Sequence, residues 1–357
     1  CIVSASGNGC TSVTSSIVLV TVVADPTITV QPTAITQCIG GTSALSVTAT
    51  GGTPSLTYQW FSNVSNSNSG GSAITGATSS TYTPSSLVAG TVYYYCVVSA
   101  SGDGCASATS NAVAVIVQTT PSAGTIGSDQ TICSGGDPAA FTNIASATGD
   151  GAITYIWQSS LNNSSWSPIS SATSATYDPP SNLTTTTYYR RVATSTLNGN
   201  TCSVNSDPVL VTVNPIPTVN TISNQVVCVD QQFSAITFSG TVTSTVYNWT
   251  NNNTNTGLAS SGTGNVAAFT ATNLTNAAIV STVVVTPIYT NNSVSCTGST
   301  KSFTLTVNPK ATIANKTVST CSGTGFTVTP SNGGGDIVPT GTTYAWSALP
   351  VVTGGLT

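Results

Sequence analysis

The side chains in this chain that could do chemistry are ten cysteines and nine acidic residues, all of them Asp. The sequence has no His, no Glu and no Met, and its few cations are Arg190, Arg191, Lys301, Lys310 and Lys316. Without His, neither a Ser-His-Asp triad nor Cys-His catalysis can be assembled. The composition therefore predicts a protein that is not an enzyme and that has no catalytic residues.

The acidic residues are also too scattered to hold an ion. No two Asp residues lie within three positions of each other, so no calcium loop of the Asp-x-Asp-x-Asp-Gly kind is present. No Cys-x-x-Cys pair occurs, which argues against a zinc site. The glycine run Gly333-Gly334-Gly335 leads into a loop pattern and not into a helix that could cradle phosphate. We expect turn capping by the Asp residues, no metal and no cofactor.

The cysteines follow a regular period. A leading cysteine recurs at intervals of 95, 95 and 93 residues, at Cys38, Cys133, Cys228 and Cys321. Three pairings have nearly equal separations of 67, 69 and 68 residues: Cys38–Cys105, Cys133–Cys202 and Cys228–Cys296. This agreement predicts one disulfide within each repeat, formed in an oxidising compartment. Cys10 and Cys321 are then expected to pair with cysteines outside this stretch of sequence.

Cys96 and its copy Cys1 do not fit that pattern, and three readings of Cys96 stay open. At a displacement of 95 residues Cys96 coincides with Arg191, which suggests a position outside the deep core and an exposed thiol able to cross-link neighbours. Alternatively Cys96 bridges Cys105. A third reading pairs Cys96 with Cys38, because Tyr94-x-Cys96 has the spacing of an immunoglobulin tyrosine corner.

The segments that must position these cysteines read as strands. Short runs rich in Val, Ile, Thr and Tyr alternate with Gly- and Asn-rich turns, and no segment keeps a helical period. A Tyr-x-Trp pair, whose two rings share one face of a strand, recurs four times. Its tryptophans are the expected core residues Trp60, Trp157, Trp249 and Trp346. The pattern predicts an all-β chain of tandem immunoglobulin-like and PKD-like β-sandwich domains in an elongated array.

The period also sets the expected domain boundaries. Residues 1–25 are the C-terminal part of an Ig-like repeat that closes with strand 16–22, and residues 309–357 are the N-terminal part of a further repeat. Between them lie two Ig-like repeats and one PKD-like repeat, called here the first (26–118), second (119–214) and third (215–308) repeats. Proline at each boundary predicts short, semi-rigid connections. Strands of about ten residues give each repeat a length of roughly 35–40 Å.

Several phrases resemble the repeats of giant cell-surface adhesins of Bacteroidetes, including those moved over the cell in gliding. The matching phrases are Tyr58-Gln59-Trp60, residues 76–84 and residues 93–105 in the first repeat, and residues 212–218 at the boundary between the second and third repeats. In the third repeat, residues 247–250 and 257–265 resemble the PKD-like repeats of the same proteins. The resemblance implies export by the type IX route, surface anchoring elsewhere in the polypeptide, and a role as stalk or filament.

The expected function is therefore a structural stalk or filament segment of a large secreted adhesin, which supports attachment or gliding at the cell surface. The alternatives are a glycan- or protein-binding module and the spacer of a secreted enzyme. Trp166, on a polar loop, could stack on a sugar or pack back over the sandwich edge. The expected partners are surface glycans, other surface proteins or further copies in a filament. A net charge of -4 argues against nucleic acid, and the absence of 18 consecutive apolar residues argues against direct membrane insertion.

Overall fold

The computed structural model describes residues 1–7, 9–102, 105–319, 321 and 324–346. The described residues form strands and one 3-10 turn at Thr254–Thr256, which confirms the all-β prediction. The chain divides into two compact units. The first unit contains Cys1–Ser128, Ala140–Tyr177 and Tyr188–Val209, and the second contains Asp129–Ala139, Asp178–Thr187 and Leu210–Thr357.

The first repeat is an immunoglobulin-like sandwich. A short hairpin of β1 (Ile2–Val3) and β2 (Val13–Thr14) precedes it. The strands of the repeat are β3 (Thr27–Val30), β4 (Ile35–Cys38), β5 (Leu45–Ser46), β6 (Thr48–Thr50), β7 (Leu56–Asn63), β8 (Ser72–Ala73), β9 (Thr81–Tyr82), β10 (Gly90–Ala100), β11 (Ala108–Thr109) and β12 (Val113–Gln118). One sheet has the order β4-β12-β10-β7-β8, with β11 beside β10. The pairs β3–β6 and β5–β9 supply the strands of the other layer.

The second repeat contains the same kinds of strand. They are β13 (Thr125–Ile126), β14 (Gln130–Cys133), β15 (Asn143–Ala145), β16 (Ala152–Ser160), β17 (Ser167–Pro168), β18 (Thr187–Leu197), β19 (Asn200–Asn205) and β20 (Val209–Asn214). Within the first unit, β16 pairs with β17 and β18, β18 pairs with β19, and β13 pairs with β15. Within the second unit, β14 runs parallel to β20.

The third repeat lies in the second unit. Its strands are β21 (Gln225–Cys228), β22 (Gln232–Phe233), β23 (Val246–Asn251), β24 (Ser261–Thr263), β25 (Phe269–Thr270), β26 (Ile279–Asn291), β27 (Val294–Thr297) and β28 (Lys301–Asn308). The main sheet has the order β21-β28-β26-β23-β24, with β27 beside β26, and β22 pairs with β25. Along β26 buried and less buried residues alternate, as a strand with one face in a core requires.

Three of the four expected core tryptophans lie in buried positions. Trp60 in β7 and Trp157 in β16 are fully buried, and Trp249 in β23 is 8% exposed. Each indole nitrogen donates a hydrogen bond to a backbone carbonyl: Trp60 to Ser79 O at 2.9 Å, Trp157 to Ser174 O at 2.9 Å, and Trp249 to Gly264 O at 3.2 Å. A buried indole N–H needs such a partner. The tryptophan thus ties its strand to the segment that follows the next strand along the chain.

Two expectations for the flanking segments are wrong. Trp346 is 79% exposed, because the described part of 309–346 pairs only through the isolated bridges Thr312↔Ile337 and Gly333↔Asp336 and so offers no second layer to cover the ring. Residues 16–22 form no strand, and Ile17 is 97% exposed. An apolar run becomes a strand only where a neighbouring strand takes up its backbone hydrogen bonds.

Opposite each buried tryptophan lies one position of the neighbouring strand, which is occupied by a different residue in each repeat. Cys96 faces Trp60, Arg191 faces Trp157, and Val285 faces Trp249. All three residues are fully buried. The inference that this position lies outside the deep core is therefore wrong, and so is the exposed-thiol reading of Cys96.

Arg191 can occupy a core position because acceptors surround the two terminal nitrogens of its guanidinium, although its buried Nε has no partner among the described residues. It donates to Ala123 O at 2.6 Å, to Ala175 O at 2.7 Å and to Asn143 Oδ1 at 2.8 Å. The guanidinium carbon also lies 4.7 Å from the centre of the Tyr155 ring, within range of a cation–π interaction. Burial lowers the pKa of the Arg191 guanidinium from its ordinary value. Among the described residues, carbonyl dipoles and not a carboxylate thus stabilise this buried charge.

Cys96 is a small buried thiol in a less polar surrounding. It belongs to the apolar cluster that contains Leu45, Trp60, Val98 and Val115. Burial raises the pKa of the Cys96 thiol to about 11. Cys96 forms no disulfide, so the Cys96–Cys105 and Cys38–Cys96 readings are also wrong. At neutral pH the thiol stays protonated, and thiols react through the thiolate.

Replacing Arg191 by Ala should destabilise the first unit strongly. The change removes the donors of at least three buried or half-buried oxygens, and each unsatisfied group costs about 1–3 kcal/mol. We expect a loss of at least about 3 kcal/mol in the free energy of unfolding, measured by urea denaturation. Arg190→Ala is the matched control at the adjacent position and should cost no more than about 1 kcal/mol. Equal losses in the two variants would contradict this role of Arg191.

Cys96 should resist alkylation in the folded chain. Because its pKa is raised and its sulfur is buried, iodoacetamide at pH 8 should modify Cys96 at least about 100-fold more slowly than the partly exposed Cys105. The difference should disappear in urea. Peptide mass spectrometry at timed intervals measures both rates, and similar native rates would show that the Cys96 site is open.

Candidate functional site

The disulfides join neighbouring repeats instead of closing single ones. Cys38 is bonded to Cys202, and Cys133 is bonded to Cys296, over sequence separations of 164 and 163 residues. The expected pairings Cys38–Cys105, Cys133–Cys202 and Cys228–Cys296 are therefore wrong. The free cysteines are Cys1, Cys10, Cys96, Cys105, Cys228 and Cys321.

Strand direction explains why Cys38 cannot reach Cys105. Cys38 is the last residue of β4, and β4 runs parallel to β12 with Cys38 opposite Gln118, the last residue of β12. The β10–β11 hairpin that carries Cys105 lies beyond the other end of β12. The five residue steps along β12 alone separate the two ends by roughly 17 Å. A disulfide requires Cα atoms within about 7 Å.

In the first unit, the end of β4 meets the hairpin of the next repeat. The hairpin β18–β19 turns at Asn198 and Gly199, whose φ angles of 49° and 79° are those of a two-residue turn with both residues left-handed. This turn places Cys202 against Cys38 with a Cα–Cα distance of 5.7 Å. We call this arrangement the first junction.

Amide side chains align the first junction beside its disulfide. Asn198 Nδ2 donates to Thr36 Oγ1 at 3.1 Å, and Gln118 Nε2 donates to Asn200 Oδ1 at 3.1 Å. Gln118 is 1% exposed, and its Oε1 atom has no partner among the described residues. The buried amide of Gln118 is therefore only half satisfied.

The second unit contains the same arrangement between the second and third repeats, which we call the second junction. Cys133 ends β14, parallel to β20, and bonds to Cys296 of the β26–β27 hairpin. That hairpin also turns on two left-handed residues, Asn292 and Ser293, with φ angles of 47° and 62°. Asn292 Nδ2 donates to Thr131 Oγ1 at 3.2 Å, as Asn198 does to Thr36.

The second junction satisfies its central amide completely. Asn214 Nδ2 donates to Asn291 O at 3.1 Å and to Val294 O at 3.2 Å, and Asn214 Oδ1 accepts from Asn291 Nδ2 at 3.0 Å. Asn214 takes the position that Gln118 holds in the first junction, opposite the leading cysteine. Both junctions therefore use a leading cysteine, a buried amide and an Asn-led hairpin.

The Asp side chains mainly accept hydrogen bonds from backbone groups. Asp129 Oδ1 accepts from Leu210 N at 2.8 Å, and Asp150 accepts from both the backbone nitrogen and the hydroxyl of Thr119. Lys316 Nζ lies 2.7 Å from Asp336 Oδ2. The hydrogen bond from Lys316 is the largest of the effects that lower the pKa of the Asp336 carboxyl. Among the described residues, no cluster of three or more His, Cys, Asp or Glu side chains could hold a metal ion.

No helix among the described residues has the length and hydropathy needed to cross a membrane.

Trp166, the candidate sugar platform, lies against the second repeat. Arg190 stacks over its ring with the guanidinium carbon 4.2 Å from the ring centre, and Arg190 Nε donates to Gln158 Oε1 at 2.7 Å. One face of the indole is therefore occupied by a side chain of its own repeat. This arrangement matches the alternative in which Trp166 packs back over the sandwich.

Asn214→Ala should make the disulfide of the second junction easier to reduce. The variant loses three hydrogen bonds that align the two halves, each worth about 1 kcal/mol. We expect the equilibrium constant for Cys133–Cys296 formation against glutathione to fall at least about tenfold. Asn308→Ala, at the same position of the third repeat and outside the second junction, is the matched control and should leave that constant unchanged. Equal equilibrium constants for Cys133–Cys296 formation in Asn214→Ala and Asn308→Ala would contradict the role of Asn214 in aligning the junction.

Comparison with known proteins finds several solved structures of tandem domains and one family model. The I67–I69 fragment of titin is 14% identical, covers 81% of this chain and 99% of its own, and superposes with a TM-score of 0.43. Extracellular domains 3–5 of Drosophila OTK are 12% identical, covering 80% of this chain and 97% of their own, with a TM-score of 0.29. No curated protein sequence matches the chain. A family model described as a domain of unknown function matches residues 27–119 and 122–215, just over half of the chain. The chain therefore belongs to the DUF8696 family and carries two copies of its domain.

Proposed function

We propose that this chain is a structural stalk or filament segment of a large secreted cell-surface protein, built from sandwich repeats that are cross-linked in series. The observation that carries the proposal is the repeated junction. Two disulfides join successive repeats, each flanked by the same set of amide and threonine contacts. A linker that only connects independent domains does not need a second covalent bond.

The position of the cysteines favours a mechanical role over a role in folding. Both disulfides lie at strand ends between repeats: Cys38 and Cys133 are half-buried, whereas their partners Cys202 and Cys296 are buried. Closing loops of 164 and 163 residues restricts the unfolded chain by about 5 kcal/mol each in the entropy model. In the folded chain the same bonds limit the hinge between repeats. Disulfides of this kind persist outside the reducing cytosol, which supports an extracellular or cell-surface location.

The finer identity rests on the sequence motifs. Tyr58-Gln59-Trp60 and the phrase at 212–218 resemble Bacteroidetes surface adhesins, and this resemblance supports a role in attachment or gliding after type IX export. We propose the division into repeats 26–118, 119–214 and 215–308, with 215–308 as a PKD-like repeat. The 95-residue period and the family matches at 27–119 and 122–215 support it. Direct enzymatic activity has no support in the arrangement of the described Asp and Cys residues.

Small-angle X-ray scattering tests the stalk. Three repeats of roughly 35–40 Å in line should give a radius of gyration of about 30 Å or more, whereas a compact globule of this length should give about 21 Å. Cys38→Ser/Cys133→Ser is the control without junction disulfides. It should keep its β-sheet circular dichroism but show a broader distribution of distances, because the hinges are released. A radius of gyration near that of the compact globule would contradict the stalk proposal.

A glycan array screen of the full chain separates the stalk from the binding module. A stalk segment should bind no glycan above background. Saturable binding that is lost in Trp166→Ala would instead favour a sugar site at the Trp166–Arg190 stack. The folding of that variant is checked by its urea midpoint, so that loss of binding is not confused with loss of structure.

A further inference from the structure

We propose that the Cys38–Cys202 disulfide is a redox-sensitive hinge, which a small thiol such as glutathione opens before it opens the Cys133–Cys296 disulfide. The first and second junctions share their parallel strand pairing, their left-handed hairpin turn and one contact to a threonine. They differ in the hairpin side chains that surround the central amide and the sulfurs. Such a hinge goes beyond the stalk role proposed above, because it gives the stalk one point of release.

The first difference lies five residues before the bonded hairpin cysteine. In the second junction this residue is Asn291, whose Nδ2 donates to Asn214 Oδ1 at 3.0 Å. In the first junction it is Leu197, whose side chain has no donor. The Oε1 atom of the buried Gln118 therefore has no partner among the described residues. An acceptor buried without a partner destabilises the closed junction, and opening the hinge lets water bind it.

The second difference lies two residues before the same cysteine. In the first junction this residue is Asn200, whose Oδ1 lies 3.6 Å from Cys38 Sγ and 3.8 Å from Cys202 Sγ. A disulfide sulfur has no hydrogen to donate, whereas each thiol formed by reduction can donate weakly to this oxygen. In the second junction the residue is Val294, whose side chain has no acceptor. This stabilisation of the reduced state is therefore available in the first junction and not in the second.

Both differences shift the disulfide equilibrium in the same direction. A folded junction holds its two cysteines at a high effective concentration, which favours their bond over a mixed disulfide with glutathione. In the second junction three hydrogen bonds of Asn214 keep the two halves aligned. In the first junction Gln118 donates through Nε2 and leaves Oε1 unpaired. The reduced first junction therefore opens more readily, and its cysteines meet less often.

Reduction proceeds by two thiol–disulfide exchanges that begin at Cys38, since Cys38 is half-buried whereas Cys202 is 4% exposed. A glutathione thiolate attacks Cys38 Sγ, forms a mixed disulfide and releases the Cys202 thiolate, which takes up a proton from solvent. A second glutathione thiolate attacks the glutathione sulfur of the mixed disulfide and releases the Cys38 thiolate, which is protonated in turn. Two glutathione thiols are oxidised to one disulfide, and one protein disulfide is reduced to two thiols.

The test compares both disulfides within one full chain whose free cysteines outside the core are replaced, by Cys1→Ser, Cys10→Ser, Cys105→Ser, Cys228→Ser and Cys321→Ser. The chain is equilibrated in glutathione buffers of graded redox ratio, quenched with acid and alkylated. Peptide mass spectrometry then gives the reduced fraction of each cysteine pair. We expect the equilibrium constant for forming the disulfide to be at least about tenfold lower in the first junction than in the second.

Reciprocal exchange of the two hairpin positions is the matched control. Leu197→Asn/Asn200→Val gives the first junction the side chains of the second, and should raise its equilibrium constant several-fold. Asn291→Leu/Val294→Asn gives the second junction the side chains of the first, and should lower its constant several-fold. In each variant the disulfide of the unaltered junction reports on folding, because its constant should not change.

Amide hydrogen exchange measures whether reduction opens the hinge. At a redox ratio that reduces mainly the first junction, the amides at 197–202 should exchange at least about tenfold faster than in the oxidised chain. The amides at 291–296 should keep their oxidised rates.

Equal constants for the two disulfides, or earlier reduction of the second junction, would overturn the proposal. So would exchange variants that leave both constants unchanged, and so would unchanged hydrogen exchange at 197–202 after reduction. Each of these results leaves the stalk proposal intact, because that proposal is decided by the radius of gyration of the oxidised chain.

Discussion

The parallel pairing of the leading strand with the last strand of each repeat is the constraint on which the arrangement of disulfides depends. β4 with β12, β14 with β20, and β21 with β28 each place a leading cysteine beside the residue where the chain leaves the repeat. An antiparallel pairing would have placed it at the opposite end. Because the hairpin of the following repeat meets that exit, the cysteine finds its partner there. The direction of one edge strand thus converts a cysteine inside a repeat into a connection between repeats.

Moving the disulfide to the junction leaves the sandwich core to other interactions. The position opposite the buried tryptophan is a thiol in the first repeat, a guanidinium in the second and an isopropyl group in the third, at Cys96, Arg191 and Val285. What stays constant is the tryptophan, with its indole N–H bonded to a loop carbonyl. Ring contacts continue the core, as in the Trp157–Tyr177 stack at 5.3 Å between ring centres. These three side chains can all be buried there, for different reasons. The guanidinium of Arg191 is hydrogen-bonded to carbonyl groups, the Cys96 thiol is uncharged at neutral pH, and Val285 has no polar atom in its side chain.

The sequence was enough to predict the all-β fold and the sandwich strands of the repeats, because period-2 patterns and turn residues report directly on backbone structure. It failed on the cysteine pairing for a specific reason. In a periodic array, separations within a repeat and separations to the next repeat are equally constant. The separations of 164 and 163 residues between the bonded cysteines are as regular as the 67 to 69 residues between the predicted pairs. Strand direction decides between them, and a strand pattern does not reveal whether the edge pairing is parallel.

The prediction that the Arg191 position lies outside the core is wrong because a charged side chain can be buried where acceptors meet it, and carbonyl groups of three neighbouring segments converge on this guanidinium. The hairpin asparagines, Asn198 and Asn292, could have been found from sequence. Each lies four residues before its bonded cysteine and begins a two-residue turn. Only contacts across repeats reveal the amides of Gln118 and Asn214, since nothing in their local sequence distinguishes them from other polar strand ends.

The bond between Cys38 and Cys202 spans the short connection that runs from Gln118 to Pro121. The polypeptide therefore crosses this boundary by two covalent routes. A protease that cut the connection would produce a nick and no release, since the downstream part would stay attached through sulfur. Severing the array there takes two different chemistries, hydrolysis and reduction, acting on the same boundary.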